Sequence, residues 1–161
     1  MKLTTRGRYA VTAIVDLALH EGSGPVSLGD VAARQGISLA YLEQLFARLR
    51  RAGLVTSTRG PGGGYRLTHA ASDVVVADII DAVDETVEYT RCGGERNCQQ
   101  GKPCLTHELW AGLGDHVRSY LAAVTVASLI DEPSVRLVAA RQRGEDAPLQ
   151  YVAAPDELAG H

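Results

Sequence analysis

Apolar side chains recur at helical spacing from the start of the chain. Ala10, Ile14, Leu17 and Ala18 share a face of a helix that Thr4 or Thr5 can cap and that Gly22, Gly24 and Pro25 end. Ser27 followed by Asp30 resembles a capping box and opens a short helix through Val31 and Ala32 to a stop at Gly36. Ser38 caps a third helix, Leu39 to Ala52, with Leu42, Leu45, Phe46 and Leu49 as its inner stripe. Its outer face carries Ala40, Glu43, Gln44, Ala47, Arg48 and Arg51. Beyond Gly53, Leu54 to Thr58 and Tyr65 to Thr68 read as strands on either side of the glycine-rich run 59–64. A short helix, a tight turn at Gly36 and Ile37 and a longer amphipathic helix make a helix-turn-helix, and the hairpin behind it is a wing. The predicted fold is mainly α with a small β wing: a winged helix-turn-helix domain followed by a long dimerisation helix.

Further along, Val76, Ile79, Ile80 and Val83 mark a short helix that ends in acidic Asp84 and Glu85. Pro103 can begin a long helix, which would put Cys104 and His107 one turn apart on one face. Trp110, Leu113, Val117, Tyr120 and Val124 then recur at alternating three- and four-residue steps. That is a heptad seam of about two repeats, suited to pairing subunits; packing on its own domain is the alternative. A second short helix, Val126 to Asp131, stops at Pro133, and the remainder has few large apolar residues. The expected organisation is a winged helix-turn-helix domain over 1–84, a cysteine-bearing loop over 85–103, dimerisation helices over 104–132 and a mobile tail over 133–161.

At 161 residues the chain is one domain, or a small domain with an appendage. No apolar run approaches the length of a membrane span. Lys2, Arg6 and Arg8 precede the apolar run Ala10 to Leu19 in the manner of a signal peptide, but Asp16 interrupts it and no cleavage site follows. A cytoplasmic location is expected. The net charge of −3 hides an asymmetry: the first 70 residues hold nine bases against four acids, so +5 there faces −8 in the rest. Only the first half suits a polyanion.

That polyanion would be double-stranded DNA. Gln44 can pair with adenine, and Glu43 can accept from cytosine N4 while repelling nearby phosphates. Arg48, Arg50 and Arg51 lie later on the helix and suit phosphate. Tyr41 either hydrogen-bonds a phosphate or packs. The wing tip offers Arg59 and Gly60, with Arg59 placed to enter a minor groove; a merely solvated arginine is the alternative. With Ser38 and Ala40 at the start of the helix, these residues form the candidate DNA surface. A nucleotide-loop reading of the glycines fails, since neither a helix nor Gly-Lys-Ser/Thr follows them.

All three cysteines fall between Cys92 and Cys104, with five residues between each neighbouring pair, and His107 follows three beyond. Cys92, Cys98, Cys104 and His107 make a four-ligand set for a soft or borderline metal. Gly93, Gly94 and Gly101 let the intervening loop fold tightly, and Arg91, Arg96 and Lys102 surround it. A disulfide is disfavoured by the odd count. Zinc remains open, although a tight C-x2-4-C knuckle is missing. An iron–sulfur cluster suits the wide spacing, and a histidine ligand would make it labile. No catalytic residue is expected: His107-Glu108 resembles a zinc-protease helix, but Ala111 stands where the second histidine would be. An iron–sulfur electron carrier is the reading from another class, and it leaves the basic winged helix unexplained.

The opening Met1 to Val11, the run Gln35 to Phe46, the wing Arg59 to Tyr65 and the loop of three cysteines and a histidine together resemble the IscR family of winged-helix repressors, regulators of iron–sulfur cluster assembly. The resemblance covers roughly residues 1–132. It implies a homodimer with one [2Fe–2S] cluster per subunit, ligated by Cys92, Cys98, Cys104 and His107 and supplied by the cluster-assembly machinery. It also implies that the holo form represses cluster-assembly genes, while the apo form binds a second promoter class. Glu43 would discourage apoprotein binding to the first class. Ala40 departs from the serine frequent in the family. Nitric-oxide-sensing relatives share the cysteines, usually without this histidine.

Overall fold

A computed structural model describes residues 4–83 and 89–145. Helix α1 (Thr5–His20) starts where the Thr4 hydroxyl accepts from the Arg6 N–H at 3.2 Å. It buries Ala10, Ala13, Ile14 and Leu17, and with them Asp16. That carboxylate accepts from Arg34 Nε at 2.9 Å, Arg34 Nη2 at 2.6 Å and Gln35 Nε2 at 2.6 Å. The break in the apolar run is therefore a buried charge met by a guanidinium fork.

Helix α2 (Leu28–Gln35) is capped by Ser27, whose hydroxyl accepts from the Asp30 N–H at 3.1 Å, and ends at Gly36 with φ 63°. Helix α3 (Leu39–Arg51) is capped by Ser38 through the Tyr41 N–H at 3.2 Å and buries Leu42, Leu45, Phe46 and Leu49. Strands β1 (Val55–Thr58) and β2 (Gly64–Leu67) pair antiparallel, Val55 opposite Leu67 and Thr58 opposite Gly64.

The wing is also stitched to the segment leading into α2. Val26 and Tyr65 exchange backbone hydrogen bonds at 2.9 and 2.8 Å, and Glu21 Oε2 accepts from the Leu67 N–H at 2.8 Å. Phe46 of α3 meets Tyr65 edge-on at 4.9 Å between centroids. Helix α3 and the wing thus share one core, and their relative orientation is set by packing.

Helix α4 (Val76–Ala82) packs on α1 and α3, burying Val76, Ala77, Ile79 and Ile80. Asp84 and Glu85, expected at its end, lie outside the described residues. Helices α5 (His107–Ala123), α6 (Val126–Asp131) and α7 (Pro133–Gln142) follow. The Val76 N–H donates to the Val124 carbonyl and the Val126 N–H to the Val74 carbonyl, both at 2.9 Å. These bonds tie the end of α5 to the strap between wing and α4. Arg118 of α5 makes a two-pronged pair with Asp81 of α4, at 2.8 and 3.3 Å.

The structure departs from the sequence-based expectations at three places. The long helix begins at His107 instead of Pro103, because the Cys104 N–H is directed to Cys98 Sγ and the Cys104 carbonyl closes a turn onto the His107 N–H. Val124 drops out of the heptad stripe: α5 stops at Ala123, and Val124 is extended (φ −91°, ψ 116°) to pair with Val76. The expected mobile tail begins with a helix, α7, which opens on Pro133 in the first turn and buries Ala139; residues 146–161 lie outside the described residues.

Candidate functional site

The cysteine loop is shaped by residues in the left-handed region. Gly93, Gly94, Arg96, Gln100 and Gly101 all have φ between 49° and 84°. Gln99 and Lys102 exchange backbone hydrogen bonds at 2.9 Å around the Gln100-Gly101 turn, and the Thr90 hydroxyl accepts from the Gly94 N–H at 2.7 Å. The turns carry Cys92 and Cys98 back onto the first residue of α5. There His107 Nδ1 lies 3.5 Å from Cys92 Sγ and 3.7 Å from Cys98 Sγ. One ligand atom from each of Cys92, Cys98 and His107 lies within 4.8 Å of the others.

His107 is 3% exposed; among the described residues only it and Asp16 are buried polar or charged side chains. Cys104, the fourth expected ligand, stands beside this group and not within it. Its N–H donates to Cys98 Sγ at 3.0 Å, while its own sulfur lies 3.9 Å from Thr106 Oγ1. Arg96 pairs with Glu108, binding the loop to the residue after His107. A cavity of about 400 Å³ opens here, lined by Cys98, Cys104, His107, Thr90, Thr106 and Trp110 among others. Thr90 and Thr106 were not singled out from sequence as part of this site; their only signal was a hydroxyl two residues from a cysteine.

The thiols are differentiated. Burial pushes Cys92 up, but hydrogen bonds with Thr90, with the backbone of Asn97 and Arg96 and with Cys98 outweigh it, bringing it to about 6. Burial raises Cys98, with Cys104 and Cys92 adding to the rise against the pull of the Cys104 amide. Hydrogen bonding to Cys98 lowers Cys104, helped by Thr106. Three cysteine sulfurs beside a buried imidazole are a soft donor set. Its residue types fit both zinc and an iron–sulfur centre.

In the winged helix, Ser38, Ala40, Glu43, Gln44 and Arg51 lie exposed on or just before α3, with Arg59 and Gly60 exposed at the wing tip. Arg48 is half-buried. Arg51 Nε folds back to the Ala47 carbonyl at 3.4 Å. Tyr41 is half-buried and meets Tyr9 edge-on, with centroids 5.9 Å apart, which favours its packing role. Along α5, Trp110 and Tyr120 are exposed while Leu113 and Val117 are half-buried; only His107 of that helix is fully buried. No described helix is long and apolar enough to cross a membrane.

Comparison with known proteins follows the same lines. The Rrf2 family profile, described as iron-dependent transcriptional regulator, matches residues 3–132. The regulator IscR of Photorhabdus laumondii is 56% identical over 142 residues, covering 88% of this chain and 87% of that one. IscR of Escherichia coli is 53% identical over 148 residues, covering 92% and 91%. Among solved structures, T. potens IscR superposes with TM-score 0.67 at 38% identity, over 81% of this chain and 86% of that one. CymR, the global cysteine regulator of B. subtilis, gives 0.70 at 34%, over 80% and 95%. The curated relatives are named HTH-type transcriptional regulators, which are not enzymes, and a winged helix is what this structure shares with the solved ones. The chain belongs to the Rrf2 family of transcriptional regulators.

Proposed function

We propose that this regulator reports iron–sulfur status: a homodimer in which each subunit holds one [2Fe–2S] cluster through Cys92, Cys98, Cys104 and His107. The observation that carries this is the convergence of Cys92, Cys98 and His107 donor atoms within 4.8 Å, with Cys104 hydrogen-bonded to the same site. When bound, the cluster would supply a labile, redox-active inorganic centre whose presence or loss is the signal.

The chain's own residues do the rest. The thiols give up their protons on loading, easiest at Cys92. His107 contributes a neutral ligand that a proton can displace. Arg96 and Glu108 hold the loop to α5, and Arg118 with Asp81 joins α5 to α4. Helix α5 then shifts the winged helix by that route. A tenfold change in DNA affinity needs only about 1.4 kcal/mol of coupling. The dimer forms along the exposed stripe of α5, and the cluster-assembly machinery donates the cluster.

In this reading the loaded form represses cluster-assembly genes, and the apo form binds a second class of promoter. Gln44 and Glu43 select between sites, Ser38, Arg48 and Arg51 hold the backbone, Tyr41 packs on Tyr9, and Arg59 with Gly60 enters the minor groove. Ala40 supplies no hydrogen bond of its own. The location expected for such a protein is the cytoplasm.

The test is anaerobic purification with an absorption spectrum and iron and sulfide counts, followed by titration of loaded and metal-free protein on promoter duplexes. Equal iron and sulfide, a coloured protein and a load-dependent choice of duplex are expected. A colourless, zinc-bound protein that binds every duplex alike overturns the reading.

A further inference from the structure

Helix α7 lies beyond the residues matched by the family profile, yet it grips the helix-turn-helix. Gln35, the last residue of α2, donates from Nε2 both to Asp16 Oδ2 at 2.6 Å and to Gln142 Oε1 at 3.1 Å. Gln142 Nε2 answers with contacts of 3.4 Å to the Arg34 carbonyl and to Gln35 Oε1. Ala139, nearly one turn earlier on α7, is 2% exposed. The Asp16 side chain at the centre is fully buried and also accepts the Arg34 fork.

Helices α1 and α7, from opposite ends of the described chain, therefore converge on the end of α2. The turn begins at the next residue: Gly36 is left-handed, Ile37 is buried, and Ser38 caps the recognition helix. The position of α2 against α1 determines how that helix is presented. None of Asp16, Gln35 or Gln142 belongs to the exposed face of α3, so any influence on base reading is positional. Buried amide networks with every member bonded specify one arrangement more sharply than apolar contact does.

We propose that Gln142 and Gln35, through Asp16, are positioning residues for DNA readout, making α7 a working part of the reading head. The inference rests on DNA binding alone and does not depend on any metal. The Arg34 carbonyl and the Gln35 amide hold α7, and α7 in turn holds the pitch of α2. Loss of the amide pair lets α2 shift against α1. Phosphate contacts on the protein surface tolerate that shift; base contacts do not.

The test uses the full chain as Gln142→Ala, Gln35→Ala and the double variant. Each is titrated on a duplex enriched from a randomised pool by the unaltered protein, and on a mixed-sequence duplex, across a salt series. The expected result is a loss of roughly fivefold in the affinity ratio between the two duplexes, the scale of one net hydrogen bond. The salt slope should stay unchanged, and the double variant should lose less than the sum of the two single ones, because both remove the Gln35–Gln142 bond while only Gln35→Ala also removes the bond to Asp16. Amide exchange at 34–38 should quicken. An unchanged ratio in Gln142→Ala overturns the proposal even if the melting temperature falls, since that combination describes a helix that only stabilises. Fully additive losses in the double variant also overturn it.

Discussion

Single residues carry most of the chemistry here, and two buried ones carry it for opposite reasons. Asp16 is held by the Arg34 fork; His107 faces two cysteine sulfurs. Replacing Asp16 by alanine would leave the Arg34 guanidinium, whose side chain is 20% exposed, without its partner. A loss of about 3 kcal/mol in urea unfolding is expected, as for other broken buried pairs; a loss below 1 kcal/mol, the size of a surface pair, would show that water replaces the carboxylate. Replacing His107 by alanine should weaken metal retention by about tenfold or more, scored as iron released to a chelator over time. Undiminished retention removes His107 from the ligand set. The cysteine spacing was plain in the sequence because ligands must be chemically scarce residues. Which sulfurs converge was not, because the direction of Cys104 depends on a turn in which its N–H serves Cys98.

Among elements, the wing shows how backbone proximity fixes geometry. A Cβ added at Gly64 would sit 2.4 Å from the Val26 carbonyl oxygen, at the point where the hairpin is stitched to the entry of α2. Gly64→Ala should therefore cost about 2 kcal/mol in denaturant unfolding, the cost of overpacking, and loosen amide protection at Val26 and Tyr65. Full stability would mean that the stitch is not used. The caps and stripes of α1, α2 and α3 could be read in advance because each rests on local signals such as Ser27, Ser38 and Gly36. Helix α7 was missed for the converse reason. Its apolar face is small, its one deeply buried residue is alanine, and its anchor is an amide pair more than a hundred residues distant in sequence. The start of α5 was misplaced because Pro103 is compatible with a first turn but does not impose one.

For the whole molecule, α5 is the telling element, since a 17-residue helix with a single fully buried side chain invites a second copy. Val117→Asp at the middle of the stripe should shift sedimentation equilibrium from dimer to monomer; a variant that still sediments as a dimer would move the interface elsewhere. The charge division adds to this, since only the basic half suits a polyanion. The fold class was legible as a whole because winged helices are built from short-range signals. The helix that carries the stripe was legible as far as Tyr120 but not at Val124, where pairing with Val76 overrode the heptad.

That pairing has a mechanical meaning. With Val124 and Val126 both bonded to the strap that leaves the wing, the far end of α5 is held as an oar is in its rowlock. Its blade, at His107, lies about 25 Å from the pivot at the usual rise per residue. A displacement of the cysteine end would be felt at residues 74–76 chiefly as a turn and hardly as a push, so hydrogen exchange at Val76 and Val126 is the place to watch α5 move.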